Sequence, residues 1–248
     1  MTDPAVVGAI ERATAEAVSP ERLDELDGWL VARDPGTVGR AHSAAPLRHD
    51  LDARAIPEIE GLYRDAGLSP VFRLADVEGL STVHAALSAR GYRPEQPTLV
   101  KRGRISAMIA AARGDPAPVA SAPGASWAEV FTAEGFDAID GASRVQVLTR
   151  ARDAIYGAVE EDGRALGVGM MAFGQGWASI HGMRTRADRR GEGLASRVLA
   201  GLAGAAQARG VEPVFLQVEE GNPARRLYRA FGFATAWRYH YWRRRAAP

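Results

Sequence analysis

Residues 189–210 read RRGEGLASRVLAGLAGAAQARG: two arginines and a Gly-Glu-Gly ahead of an alanine- and leucine-rich run. From Gly193 to Arg209 the apolar positions Leu194, Val198, Leu202 and Ala205 recur at helical spacing, so a helix is predicted to start at the glycine loop. The first N–H groups of a helix have no internal partner, and the helix dipole adds partial positive charge beside them. Glycines let the backbone approach a ligand without side-chain collision. Together these features describe an anion site that suits a pyrophosphate, with Arg189 and Arg190 supplying charge-assisted bonds and Arg190 the better placed of the two. The loop alone does not select a family, since any Arg-Gly turn before a helix has this form. The Gly-Lys-Ser/Thr of a P-loop is missing, and antiparallel strands ahead of the loop disfavour a dinucleotide-binding βαβ unit.

Outward from the loop the elements are regular. AIYGAVEE (154–161), ALGVGMMAF (165–173) and WASIHGMRT (177–185) read as three antiparallel strands joined by tight turns, the first turn centred on Asp162-Gly163. After the helix, PVFLQV (213–218) reads as a buried strand. NPARRLYRAF (222–231) reads as a helix with Asn222 at the cap and Pro223 just inside, closed by Gly232. ATAWRYHYW (234–242) closes the series as a strand.

The first half is less regular. PERLDELDGWLVAR predicts a helix followed by a strand ending near Arg33, IPEIEGLYRDAG a helix, PVFRL (70–74) a strand and LSTVHAALSARGY (80–92) a helix ended by Gly91. A Pro/Ala/Gly/Ser-rich stretch at 113–126 reads as a linker between domains at 1–112 and 127–248. PVFRL…AALSARGY and PVFLQV…RLYRAFGF share a strand, a helix and a Gly-aromatic close, the pattern of an internal repeat.

Composition narrows the field. A formal net charge of +1 makes no case for nucleic acid, and the basic residues are arginines apart from Lys101. No cysteine is present, which excludes disulfides, thiolate metal sites and cysteine nucleophiles. No apolar run has the length of a membrane span, and the first residues lack the pattern of a signal peptide, so a soluble cytoplasmic protein without a bound metal is expected.

The order Arg190-x-x-Gly193-x-Ala195 after a strand, then Asn222…Leu227-Tyr228…Phe231-Gly232-Phe233, resembles the GNAT (GCN5-related N-acetyltransferase) superfamily of acyl-CoA N-acyltransferases over roughly residues 120–245. The resemblance implies an α/β fold built on a mixed sheet. It implies a tandem, FR47-like form whose amino-terminal copy is degenerate, because Leu87 stands where Tyr228 does and no glycine loop precedes that strand. It implies acetyl-CoA as co-substrate. The pyrophosphate would lie on Arg190 and the amides of Gly191, Glu192, Gly193, Leu194 and Ala195, and the pantetheine arm along Met183, Arg184 and Thr185, where the strand splays from its neighbour. Asn222 would contact that arm, and Tyr228 would protonate the departing thiolate.

The base is less defined. Ser179, His181 and Met183 share one face by strand alternation, and Ser179 stands near the family's usual glutamate position. His181 and Glu219 are the remaining candidates. Expected function is acetyl transfer to a small amine, amino acid or amino sugar. The competing readings are protein N-acetylation and a non-catalytic acetyl-CoA sensor. The amino-terminal half is expected to wall the acceptor site or support a homodimer. GRAHSAAPL (39–47) within it reads as a plain loop before it reads as such a wall.

Overall fold

The computed structural model describes residues 3–244. In chain order the elements are α1 (Pro4–Val18), β1 (Arg22–Leu26), β2 (Trp29–Arg33), β3 (Ala44–Pro46), α2 (Ile56–Asp65), β4 (Val71–Ala75), α3 (Ser81–Ala89), β5 (Tyr92–Arg104) and α4 (Ile105–Ala111). They continue with β6 (Val119–Ala120), α5 (Ala125–Thr132), α6 (Ala138–Thr149), β7 (Ala154–Glu161), β8 (Arg164–Gly174), β9 (Trp177–Thr185), α7 (Leu194–Ala208), β10 (Pro213–Glu219), α8 (Arg225–Ala230) and β11 (Ala234–Arg244).

Among the described residues all eleven strands form one mixed sheet in the order β1-β2-β3-β4-β11-β5-β10-β9-β8-β7-β6. The centre of that order is symmetric. β4 is followed in sequence by α3 and β5, and β10 by α8 and β11, yet β11 lies between β4 and β5 while β5 lies between β11 and β10. The closing strand of each half is thus inserted into the other half. The β11–β5 ladder runs antiparallel from Ala234↔Arg102 to Arg244↔Tyr92.

Other elements are interleaved in the same way. α1 packs on β8 and β9, and α4 packs on α7. Glu11 of α1 and Arg73 of β4 form an ion pair at 2.5 Å, both side chains about 5% exposed or less. The stretch read as a linker supplies edge strand β6, which pairs with β7, and the first residues of α5. The halves therefore do not pack as two separate bodies joined at 113–126. A continuous sheet with its closing strands exchanged holds them together.

The second-half elements form as their turn chemistry dictates. Asp162 and Gly163, with φ of 50° and 75°, make the tight turn of the β7–β8 hairpin. The strand ending at Arg33 forms as expected, but the helix expected ahead of it is instead strand β1, paired with β2 in a second hairpin around Asp27 and Gly28 with φ of 47° and 81°. Leu23, Leu26 and Leu30 have helical spacing, but the Asp-Gly turn overrides it because both residues accept left-handed backbone. α8 begins at Arg225, later than read, since Asn222 and Pro223 form the turn before it.

Candidate active site

β9 and β10 are parallel neighbours, and their register covers only Ala178↔Val214, Ser179↔Phe215 and Ile180↔Leu216. Beyond these pairs the strands part. The opening is a cavity of about 210 Å³ whose wall includes His181, Met183, Arg184, Glu219, Asn222 and Tyr228. Six of the residues singled out in the sequence thus meet at one place.

β9 does not keep strict alternation. Between Met170↔His181 and Val168↔Arg184 it carries one residue more than β8, a β-bulge with Gly182 at φ 60°. Ser179 and His181 therefore do not share a face with Met183. Met183 packs with Leu194 and Val198 on the α7 side. His181 stacks edge-on to Phe215, with ring centroids 6.5 Å apart, on the opposite side.

The glycine loop has the geometry of an anion site. Gly191 and Gly193 lie at φ 87° and 78°, and a Cβ at either would meet no atom within 4 Å, so the loop faces open space. Among the described residues, no amide from Gly191 to Ala195 donates to a protein acceptor. Leu194 is buried in the core, so only its backbone is available to a ligand. Arg189 is engaged by Glu161 at 2.7 Å and Glu192 at 2.9 Å, whereas Arg190 is exposed, lies 5.8 Å from the centroid of the Phe136 ring and has no carboxylate within ion-pair distance among the described residues. The amides and Arg190 fit a pyrophosphate.

Tyr228 lies against the cavity with its ring edge-on to Phe233 at 6.2 Å. Burial pushes its pKa up to about 12, so the phenol holds its proton at neutral pH. Asn222 accepts a hydrogen bond from the Ala224 amide through Oδ1 at 2.9 Å, leaving its side-chain NH₂ free for the cavity. Glu219 is exposed at the cavity edge and accepts from Gln96 Nε2 at 2.7 Å. His181 is 3% exposed, and neither ring nitrogen has a partner among the described residues. Burial and then the charge of Arg40 hold its pKa well below the ordinary 6.5, so the ring is neutral and a weak proton acceptor. Arg184 turns away from α7. It donates to the Phe131 carbonyl at 3.1 Å and lies over the Phe136 ring at 4.2 Å. Thr185 and the glycine loop stand outside the cavity wall.

The structure adds residues that the sequence did not mark. Thr37, Gly39, Arg40, Gln96 and Thr98 of the first half line the cavity, so the segment starting at Gly39 does form part of a wall. Thr37 is held there by α6, its hydroxyl donating to Asp140 at 2.8 Å and its amide accepted by Ser143 Oγ at 2.9 Å. Tyr239 donates to Gln217 Oε1 at 2.9 Å, and Gln217 donates to Thr14 Oγ1 at 2.8 Å, linking the cavity to α1. The alternation of Trp237, Tyr239 and Tyr241 along β11 was a usable signal for one face, but Arg40 in its turn offered none.

Residues 5–242 match the family described as probable histone acetyltransferase Rv0428c C-terminal. The chain belongs to that family. It is a family of acetyltransferases, and the chain's fold is that of solved GNAT proteins. A GCN5-related N-acetyltransferase from Kribbella flavida is 14% identical, with TM-score 0.70 over 98% of this chain and 96% of that one. A tandem GNAT protein from the clavulanic acid biosynthesis pathway is 16% identical, with TM-score 0.61 over 100% and 97%. A GCN5-related N-acetyltransferase from Sphaerobacter thermophilus is 18% identical, with TM-score 0.58 over 99% and 94%. No curated protein sequence matches this GNAT chain. Among its described residues no helix is long and apolar enough to cross a membrane, and no group of metal-ligating side chains occurs.

Proposed function

We propose that this GNAT protein transfers the acetyl group of acetyl-CoA to the primary amine of a small acceptor by direct attack within a ternary complex. The observation that carries this reading is the parting of β9 and β10 beyond Ile180 and Leu216, with the buried phenol of Tyr228 on the wall of the gap. Acetyl-CoA supplies the thioester whose acyl carbon the amine attacks. Arg190 and the amides of Gly191 to Ala195 would hold its pyrophosphate, and the backbone of Met183 to Thr185, with Asn222, would take the arm.

Backbone N–H groups of β9 freed by the splay polarise the carbonyl as the C–N bond forms. Tyr228 gives its proton to sulfur as the C–S bond breaks. Glu219, the only carboxylate on the cavity wall among the described residues, is the better base for the amine proton, because neutral His181 is a poor acceptor and serves as a hydrogen-bonding group. The first half, residues 1–112, acts as the acceptor wall through Thr37, Gly39 and Arg40 and performs no transfer itself.

Protein acetylation is not favoured, since an arginine-lined wall repels a lysine-rich peptide. The test is calorimetric titration with acetyl-CoA of the parent and of the Arg190→Ala, Gly193→Asp double variant, followed by thiol release with an amine panel. Binding by the parent alone, with turnover, supports the reading. No binding by the parent overturns it, and binding without turnover leaves a sensor.

A further inference from the structure

We infer that the acceptor amine also carries an anionic group, a carboxylate or a phosphate ester, and that Arg40 receives it. The inference rests on the acetyl-transfer reading of this cavity and narrows its acceptor.

The charge balance of the wall points there. Among the described residues four arginines line the cavity: Arg40, Arg144, Arg184 and Arg243. Arg144 bonds Asp140 at 2.6 Å, Arg184 lies 3.9 Å from the same carboxylate, and Arg243 lies 3.5 Å from Glu95. Arg40 has no carboxylate within ion-pair distance among the described residues, and its Nε is buried without a hydrogen-bond partner. It lies close enough to His181 and Tyr239 for its charge to act on both.

His181 is the second observation. It is almost fully buried, it lines the same cavity, and both its ring nitrogens lack partners. Buried polar atoms and charges are costly unless something binds them. Here a cation and a neutral ring line the same cavity, with Tyr241 also on its wall. A guanidinium matches a carboxylate or phosphate in shape as well as in charge.

The sign of the site excludes the alternatives. A polyamine or other purely cationic acceptor would meet Arg40 with no acid beside it. A zwitterion satisfies both ends, its anion at Arg40 and His181 and its amine toward the gap where Glu219 stands. Arg40 reaches this position because its turn is tied to α6 through Thr37 and because Gly39 sits against the Tyr241 ring, where a Cβ would fall 2.8 Å from a ring carbon.

The experiment measures thiol release by the full chain at saturating acetyl-CoA. The acceptors are amino acids, phosphoethanolamine, a neutral-bodied amino sugar and a polyamine, tested on the parent, Arg40→Gln and Arg40→Lys. The anion-bearing acceptors are expected to be preferred by about tenfold or more in kcat/KM. Arg40→Gln should raise KM for them by about tenfold or more and collapse the preference, Arg40→Lys should restore part of it, and the acetyl-CoA Kd should stay unchanged. Whether amino acids or phosphoethanolamine are used identifies the anion. Turnover that favours the polyamine or the amino sugar, or an unaltered preference in Arg40→Gln, overturns the inference while acetyl transfer stands. A parent that neither binds acetyl-CoA nor releases thiol overturns the acetyl-transfer reading, and the inference falls with it.

Discussion

Arg189 Nε donates to Glu192 Oε1 at 2.9 Å, and this bond neutralises the one carboxylate of the glycine loop. Arg189 also holds that carboxyl below its usual range. The loop therefore presents amides and Arg190 to solvent with its acid already compensated. Arg190→Ala is expected to weaken acetyl-CoA binding by about threefold to tenfold, less at high salt. Arg189→Ala should weaken it through the uncovered Glu192, and the Arg189→Ala, Glu192→Gln pair should recover most of the loss. Calorimetry on the four proteins decides, and an unrecovered double variant would mean that Arg189 contacts the ligand itself.

Tyr228→Phe should lower kcat by about a hundredfold, the usual range for a lost general acid, with the acetyl-CoA Kd unchanged. Unchanged turnover would remove the phenol from the reaction.

The same tyrosine makes the fold sensitive to alkali. Its folded pKa is raised to about 12, so above pH 10 the unfolded chain loses this proton while the folded chain keeps it. Stability should fall as pH rises from 10 toward 12, and Tyr228→Phe should remove one tyrosine's share of that fall in denaturant titrations, since burial also raises Tyr63, Tyr92, Tyr156 and Tyr239.

His181 works in the opposite direction. Its folded pKa lies well below 6.5, so below that pH the unfolded chain binds a proton that the folded chain does not. Stability should decline as pH falls through 6.5, with a slope of up to about 1.4 kcal/mol per pH unit from each such histidine. His181→Gln should reduce the slope. His49, lowered to about 4 by burial, should account for part of what remains.

Gly182→Ala is expected to cost about 1–2 kcal/mol, because an L-residue resists the left-handed conformation of the bulge. The added Cβ would also fall 2.6 Å from a Leu148 methyl. Activity should drop with stability, since the bulge is what sends Met183 and His181 to opposite sides of the sheet. Chemical denaturation and turnover of the same variant check both.

Glu11→Gln should destabilise the chain by about 3–5 kcal/mol by leaving Arg73 buried without its partner. Asp76→Asn, which opens an exposed pair with Arg238, should leave the unfolding midpoint near that of the parent.

Much of the second half was legible because its signals are local. Asp-Gly turns, period-two strands and the apolar stripe of α7 each lie within a dozen residues. The first half misled where local signals compete, as in the hairpin around Asp27-Gly28. It was silent at β5, where Pro94 and Pro97 hide a strand of 13 residues. The face of Met183 was misplaced because a bulge changes alternation by one residue, and its only trace in the sequence is a glycine.

The sequence by itself determined the glycine loop, the helix behind it, and the order of loop, asparagine and tyrosine that marks an acyl-CoA transferase. These depend on backbone conformations that neighbouring residues dictate. Only the tertiary structure decided that β5 and β11 change places and that Arg40 and His181 line one cavity. Such pairings join segments more than a hundred residues apart, and they are selected by burial and register across the whole sheet, for which no short stretch of chain carries a code.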